Sequence, residues 1–268
     1  LWDAIRADAR FAEVPTVASP ELKVDAANPI VGLSLAAVML ARQAEVPLLA
    51  DDRVFQLVLF SERSTVEFAA FGSDKLVLGL RAAGLLDEEG TADALLQLMS
   101  WRYRFIVMPP ESLKALADRF MQHPPGQLLH KAALYVHDCM RDPGLFGGAE
   151  AADPPMSMGG MFFLRWAAHV AEFLVDVWAD PRWDEAHAGA LTAWAMTKLL
   201  PSPPRALSGP ATSIATLGGK IAMGRALVRA CLLRDKARGN AALRAIAEAL
   251  GMTETEYLAV VAEGINGV

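Results

Sequence analysis

Cysteine is almost absent: the 268 residues include two, Cys139 and Cys231. Two thiols cannot staple a small secreted scaffold, and their scarcity fits a reducing, cytoplasmic compartment. No leader-like core precedes Pro15, because Asp3, Arg6, Asp8, Arg10 and Glu13 interrupt it. The first residue is Leu1 rather than Met, as expected of a fragment or a processed piece. A long uninterrupted apolar run is also missing. The most apolar stretch, residues 156–178, carries Arg165, His169, Glu172 and Asp176. A bilayer span needs roughly 20 mostly apolar residues. These four polar residues fall on one helical face, opposite Phe162, Trp166, Val170, Phe173 and Val177, which predicts an amphipathic helix and no membrane partner.

Several binding signatures are absent too. Gly218-Gly219-Lys220 suggests a phosphate loop, but the positions that need Gly and Ser or Thr hold Ile214 and Ile221. No Gly-x-Gly-x-x-Gly follows a strand, and no repeat of fixed period stands out. His130, His137 and Cys139 share one predicted helix, but not at zinc-ligand spacing. Core packing is expected for Cys139 and helix-surface roles for the two histidines. His169 lies between Arg165 and Glu172 and is expected to be a hydrogen-bonded surface histidine. His187 and Glu185 form no recognisable triad.

What is present is helix, in a chain with 53% hydrophobic and 21% charged residues, a balance that excludes disorder. Apolar spacing predicts helices over 32–43, 75–86, 91–101, 111–121, 127–141, 156–178, 184–200, 211–234, 240–250 and 253–264. Short apolar runs at 46–50 (VPLLA) and 105–108 (FIVM) read as buried strands, the second stopped by Pro109-Pro110. The fold class expected is mainly α with a small α/β part. Its organisation is an α/β unit over 1–121 and an all-helical domain over 122–268.

One segment carries a resemblance. The run GLSLAAVMLARQAEVPLLADDRVF, residues 32–55, resembles the third acidic block of PIN-domain nucleases: a helix, an apolar strand, and then Ala50-Asp51-Asp52-Arg53. Residues 104–113 (RFIVMPPESL) look like the closing strand of that family, which makes 75–101 a helical insertion. The resemblance implies a partial PIN-like parallel sheet. It also implies Asp51 and Asp52 as catalytic and metal-ligating residues, Mg²⁺ or Mn²⁺ as the cofactor and RNA as the substrate. Carboxylates at the carboxyl edge of a parallel strand converge on the sheet's crevice and hold such ions through oxygen. The ion activates water and stabilises charge on the scissile phosphate. Two features differ from the family. Ala37 stands where the preceding helix usually has Asp, and no upstream strand and helix clearly supply the family's first Asp and Glu. Asp51 or Asp52 has an ordinary alternative role as a helix N-cap.

Charge is segregated although the net charge is only −6. Residues 138–185 hold nine acids and three bases, whereas 198–244 hold nine bases and one acid, Asp235. Arg225, Arg229, Arg234, Lys236 and Arg238 are therefore the candidate nucleic-acid contacts. The alternatives are a solvated face, or pairing with the acidic segment of this chain or of a partner. No aromatics interleave residues 198–244 for stacking on single strands. Four tryptophans within 166–194 are expected as core anchors, with part of that surface as a docking face. Residues 245–261 have helix-turn-helix spacing with Thr253 able to cap, but Glu254, Glu256 and Glu263 oppose phosphate contact, so a packing pair is expected. Beside the nuclease reading stands a non-enzymatic helical domain for protein interaction or regulation.

Overall fold

The computed structural model describes residues 41, 48–49, 70–121, 125–140, 158–200, 229, 233, 235–249, 251–256, 258–259 and 262. Its elements are strands β1 (Leu48–Leu49) and β2 (Ala70–Phe71) and helices α1 (Ser73–Ala82), α2 (Glu88–Ser100), α3 (Pro110–Asp118), α4 (Gly126–Met140), α5 (Met158–Ala179), α6 (Glu185–Lys198) and α7 (Lys236–Ala249). The protein is mainly α. The chain divides into two compact units, Leu1–Leu76 and Val77–Val268. Helices α2 and α3 pack with the later helices of the second unit. The expected helices at 32–43 and 211–234 lie largely outside the described residues; within them only Ala41, Arg229 and Leu233 are described.

Local chemistry sets the helix starts. The Asp87 carboxylate accepts from the Gly90 N–H at 2.7 Å, and Glu88 and Glu89 occupy the first turn of α2. Both features match the orphan donors and positive dipole of a helix N-terminus. Pro109 is extended and Pro110 opens α3, where a missing N–H costs nothing. Asp184 caps α6 by accepting from the His187 N–H at 2.8 Å. Asp235 does the same for α7, accepting from Ala237 and Arg238.

The core of the second unit is built round α5. Phe162, Trp166, Val170, Phe173, Leu174, Val177 and Trp178 are buried, while Arg165 and Glu172 stay exposed, as the polar stripe predicted. Helices α3, α6 and α7 all pack on α5, and α2 and α4 pack on α3. Three tryptophans are both buried and hydrogen-bonded. Trp166 Nε1 donates to the Leu199 carbonyl at 2.7 Å and Trp178 Nε1 to Thr192 Oγ1 at 2.9 Å. Trp183 Nε1 donates to Asp118 Oδ1 at 2.8 Å. Among the described residues, no helix is long and apolar enough to cross a membrane.

The strand expected at 105–108 does not form: among the described residues, these four have no strand pairing. Ile106 and Met108 are buried and alternate with half-buried Phe105 and Val107, so the pattern imitates a strand. The backbone is satisfied by side chains instead: Ile106 N–H donates to the Tyr135 hydroxyl at 2.8 Å, and the Met108 carbonyl lies 2.9 Å from His169 Nδ1. An extended segment held by two helices needs no sheet.

The turn between α2 and this segment holds two left-handed residues that are not glycine, Arg102 (φ 64°) and Phe105 (φ 63°). Each costs about 1–2 kcal/mol relative to the right-handed region. At Gly126 the same backbone (φ 71°) is combined with crowding, because a Cβ there would lie 2.5 Å from Phe120 Cγ. We expect Gly126→Ala to lower stability by about 2 kcal/mol or more. Thermal unfolding reads the effect, and an unchanged midpoint would contradict this packing.

Candidate functional site

The first element of interest is the strand pair. Leu48 is in register with Ala70 and Leu49 with Phe71, and the two strands run parallel. Asp51 and Asp52 follow β1 in sequence and lie outside the described residues, as do Arg225 and Arg234. Among the described residues, no group of three or more His, Cys, Asp or Glu side chains is arranged to hold a metal ion.

The described members of the basic segment are engaged within the chain. Arg229 Nη1 lies 3.3 Å from Glu172 Oε1 on α5. Arg238 reaches from α7 to the end of α5 and the turn beyond it. Its Nε donates to the Trp178 carbonyl at 2.8 Å, and its Nη2 donates to the carbonyls of Asp180 and Trp183 at 3.1 and 2.7 Å. A guanidinium suits this place because the last carbonyls of a helix lack intrahelical partners and carry the negative end of its dipole. Lys236 opens α7 at an exposed position.

A polar concavity of the second unit lies between α2, α3 and α5. It has a volume of about 650 Å³ and is lined by Glu88, Glu111, Lys114, Asp118, Asp176 and Arg182, among others. Its wall is an ion network. Lys114 Nζ donates to Asp118 Oδ2 at 2.9 Å and to Asp180 Oδ2 at 2.6 Å. Arg182 donates to Asp180 Oδ2 at 2.6 Å and to Asp118 Oδ2 at 2.9 Å. Arg119 holds Asp93 at 2.7 Å and Glu89 at 3.3 Å. Hydrogen bonds from Arg182, then from Lys114, hold the Asp180 carboxyl well below the usual carboxylate range, against the effect of burial. Asp176 differs. Burial raises its pKa, Glu111 and Glu172 raise it further, and Arg229 and Lys114 oppose the shift.

Sequence reading missed most of this network, since its only local signal is the i,i+4 spacing of Lys114 and Asp118. Of the residues considered for metal or catalytic roles, His130 stacks on Trp194 with ring centroids 5.0 Å apart. His137 Nε2 lies 3.1 Å from the Lys198 carbonyl, and Cys139 is buried. His169 is half-buried against the Met108 carbonyl, and His187 pairs with the capping Asp184. In the expected helix-turn-helix, Gly251, two residues beyond α7, has a left-handed backbone (φ 66°). Thr253 and Glu256 then cap the next turn reciprocally: Thr253 N–H and Oγ1 donate to Glu256 Oε2 at 2.8 and 2.7 Å. Leu250, Tyr257 and Val260, the residues expected to fill the angle, lie outside the described residues. No protein-family model, no curated protein and no solved structure matches this chain.

The two aspartates give opposite pH signatures. A depressed folded pKa at Asp180 contributes stability above about pH 4, which is lost as pH falls toward the folded value. Asp180→Asn should therefore lower the unfolding midpoint at neutral pH, with the gap to wild type closing in acid. A raised folded pKa at Asp176 means that stability falls as pH rises through that value. Asp176→Asn should raise the midpoint at neutral pH and lose this advantage in acid. Unfolding midpoints measured across pH check both, and parallel shifts at every pH would contradict these assignments.

Proposed function

We infer that this chain is a PIN-like nuclease-fold module in which Asp51 and Asp52 contribute ligands to a Mg²⁺ or Mn²⁺ site for RNA cleavage, or a descendant that has kept the fold while losing acids of that site. The observation supporting this is the parallel pairing of Leu48–Leu49 with Ala70–Phe71. A parallel pair requires a crossover connection, here residues 50–69, and ligands of such sheets bind beyond the strands' carboxyl ends. The aspartate pair follows the carboxyl end of β1 directly after Ala50. A divalent ion held there supplies an activated water and charge neutralisation at phosphate. The two carboxylates would bind and orient it.

A second reading, a non-enzymatic helical domain for protein interaction or regulation, is favoured by a separate observation. Arg229 and Arg238 spend their charge on Glu172 and on backbone carbonyls of the same chain. A phosphate-tracking surface would present these groups to the ligand.

Calorimetric titration of the full chain with Mn²⁺ separates the two. Saturable binding that Asp52→Ala abolishes, without changing the unfolding midpoint, supports the nuclease-fold reading. A wild-type chain that takes up no Mn²⁺ overturns the metal-dependent nuclease and favours the interaction domain, with a fold that has lost its metal site as the remaining form of the first reading.

A further inference from the structure

Of the described tryptophans, Trp166, Trp178 and Trp183 are buried and Trp194 is half-buried against His130. Trp101 is different: it is 63% exposed at the end of α2. It opens the turn Trp101-Arg102-Tyr103-Arg104-Phe105, in which aromatic and cationic side chains alternate. Arg102 and Arg104 are exposed, whereas Tyr103 and Phe105 are half-buried against the core. No acid occurs between Asp93 and Glu111, and these two carboxylates are themselves paired, with Arg119 and Arg81.

The turn is held firmly. Arg102 N–H donates to the Met99 carbonyl at 3.0 Å and Tyr103 N–H to the Leu98 carbonyl at 3.1 Å. This is the two-bond helix stop whose central residue is left-handed and ordinarily glycine. Here that residue is Arg102. Phe105, the second left-handed residue, sets its ring edge-on to Phe162 at 5.8 Å. Ile106 N–H, bonded to Tyr135, fixes the far end. A guanidinium is thus kept on a strained backbone beside an exposed indole, where glycine would fit with less cost. Strain of this kind collects at ligand-binding positions.

We propose that the turn of residues 101–105 is a binding site for single-stranded nucleic acid. Trp101 offers a face for an unpaired base, and Arg102 meets the neighbouring phosphate. The pairing of chemistry is specific to such a ligand: every unpaired base has a π-face, and every step along the strand carries an anion. A duplex keeps its bases stacked internally and offers the ring nothing. The site draws on neither Asp51 nor Asp52, so it stands or falls separately from the metal-site reading.

The test is fluorescence anisotropy of labelled oligonucleotides of about twelve residues, titrated with the full chain at low salt in the presence of EDTA. Single-stranded RNA, single-stranded DNA and the matching duplex are compared. At least one single strand is expected to bind about ten-fold or more tightly than the duplex. Trp101→Ala should weaken that binding by about ten-fold, Trp101→Phe should retain most of it, and neither should shift the unfolding midpoint. Arg102→Gly should raise the midpoint by relieving the left-handed backbone. It should also weaken binding and flatten the slope of log affinity against log salt by about 0.7. A purely structural Arg102 would give the gain in stability with no loss of affinity. Single strands bound no better than duplex, or affinity indifferent to Trp101→Ala, overturns the proposal and leaves the exposed indole to a protein partner.

Discussion

The described helical unit depends on burying tryptophan without stranding its N–H. Indoles bring the largest apolar surface that a side chain can contribute, together with one donor that is costly to leave unpaired in a low-dielectric interior. Trp166 and Trp178 on α5 reach the carbonyl of Leu199 and the hydroxyl of Thr192, so α6 must lie where its end and its middle meet those rings. Trp183, in the connection between the two helices, reaches Asp118 at the end of α3. These bonds give the packing of α3, α5 and α6 a directional component that apolar contact alone lacks. Thr192 can serve because its own hydroxyl hydrogen goes to the Ala188 carbonyl, leaving its oxygen free to accept.

The ion network follows from the same arrangement. With Asp118 placed under Trp183, Lys114 lies one turn earlier on α3 and reaches Asp180 just beyond α5. Arg182 closes the set onto Asp118 and Asp180. Arg238 then secures the end of α5 from the far side through three carbonyls. Charge that looks segregated along the chain is therefore partly reunited in space. At the end of α2 the surface has a different character, with the exposed Trp101 ring followed by exposed Arg102.

Much of the helix pattern was legible. The four polar residues of α5 stand at helical spacing, Pro109-Pro110 announce α3, and Asp184 announces α6. Segment 105–108 misled because alternating burial is as compatible with an extended connector as with a strand. Its backbone partners, Tyr135 and His169, lie far along the chain and leave no local mark. The same holds for the 101–105 turn. Its alternation of rings and guanidiniums is visible in the sequence, but neither the exposure of Trp101 nor the left-handed Arg102 is.

The sequence by itself determined the order of the described helices and which face of α5 is polar, because prolines and periodicity act within a turn or two of the backbone; the starts of α2 at Glu88 and α7 at Lys236 fall three and four residues before the expected 91 and 240. Only the tertiary structure decided which charges neutralise one another, which tryptophan stays outside and which helix supplies each buried donor with its acceptor. Those outcomes join residues such as Lys114 and Asp180, or Trp166 and Leu199, that meet only when the chain path returns them to within about 3 Å.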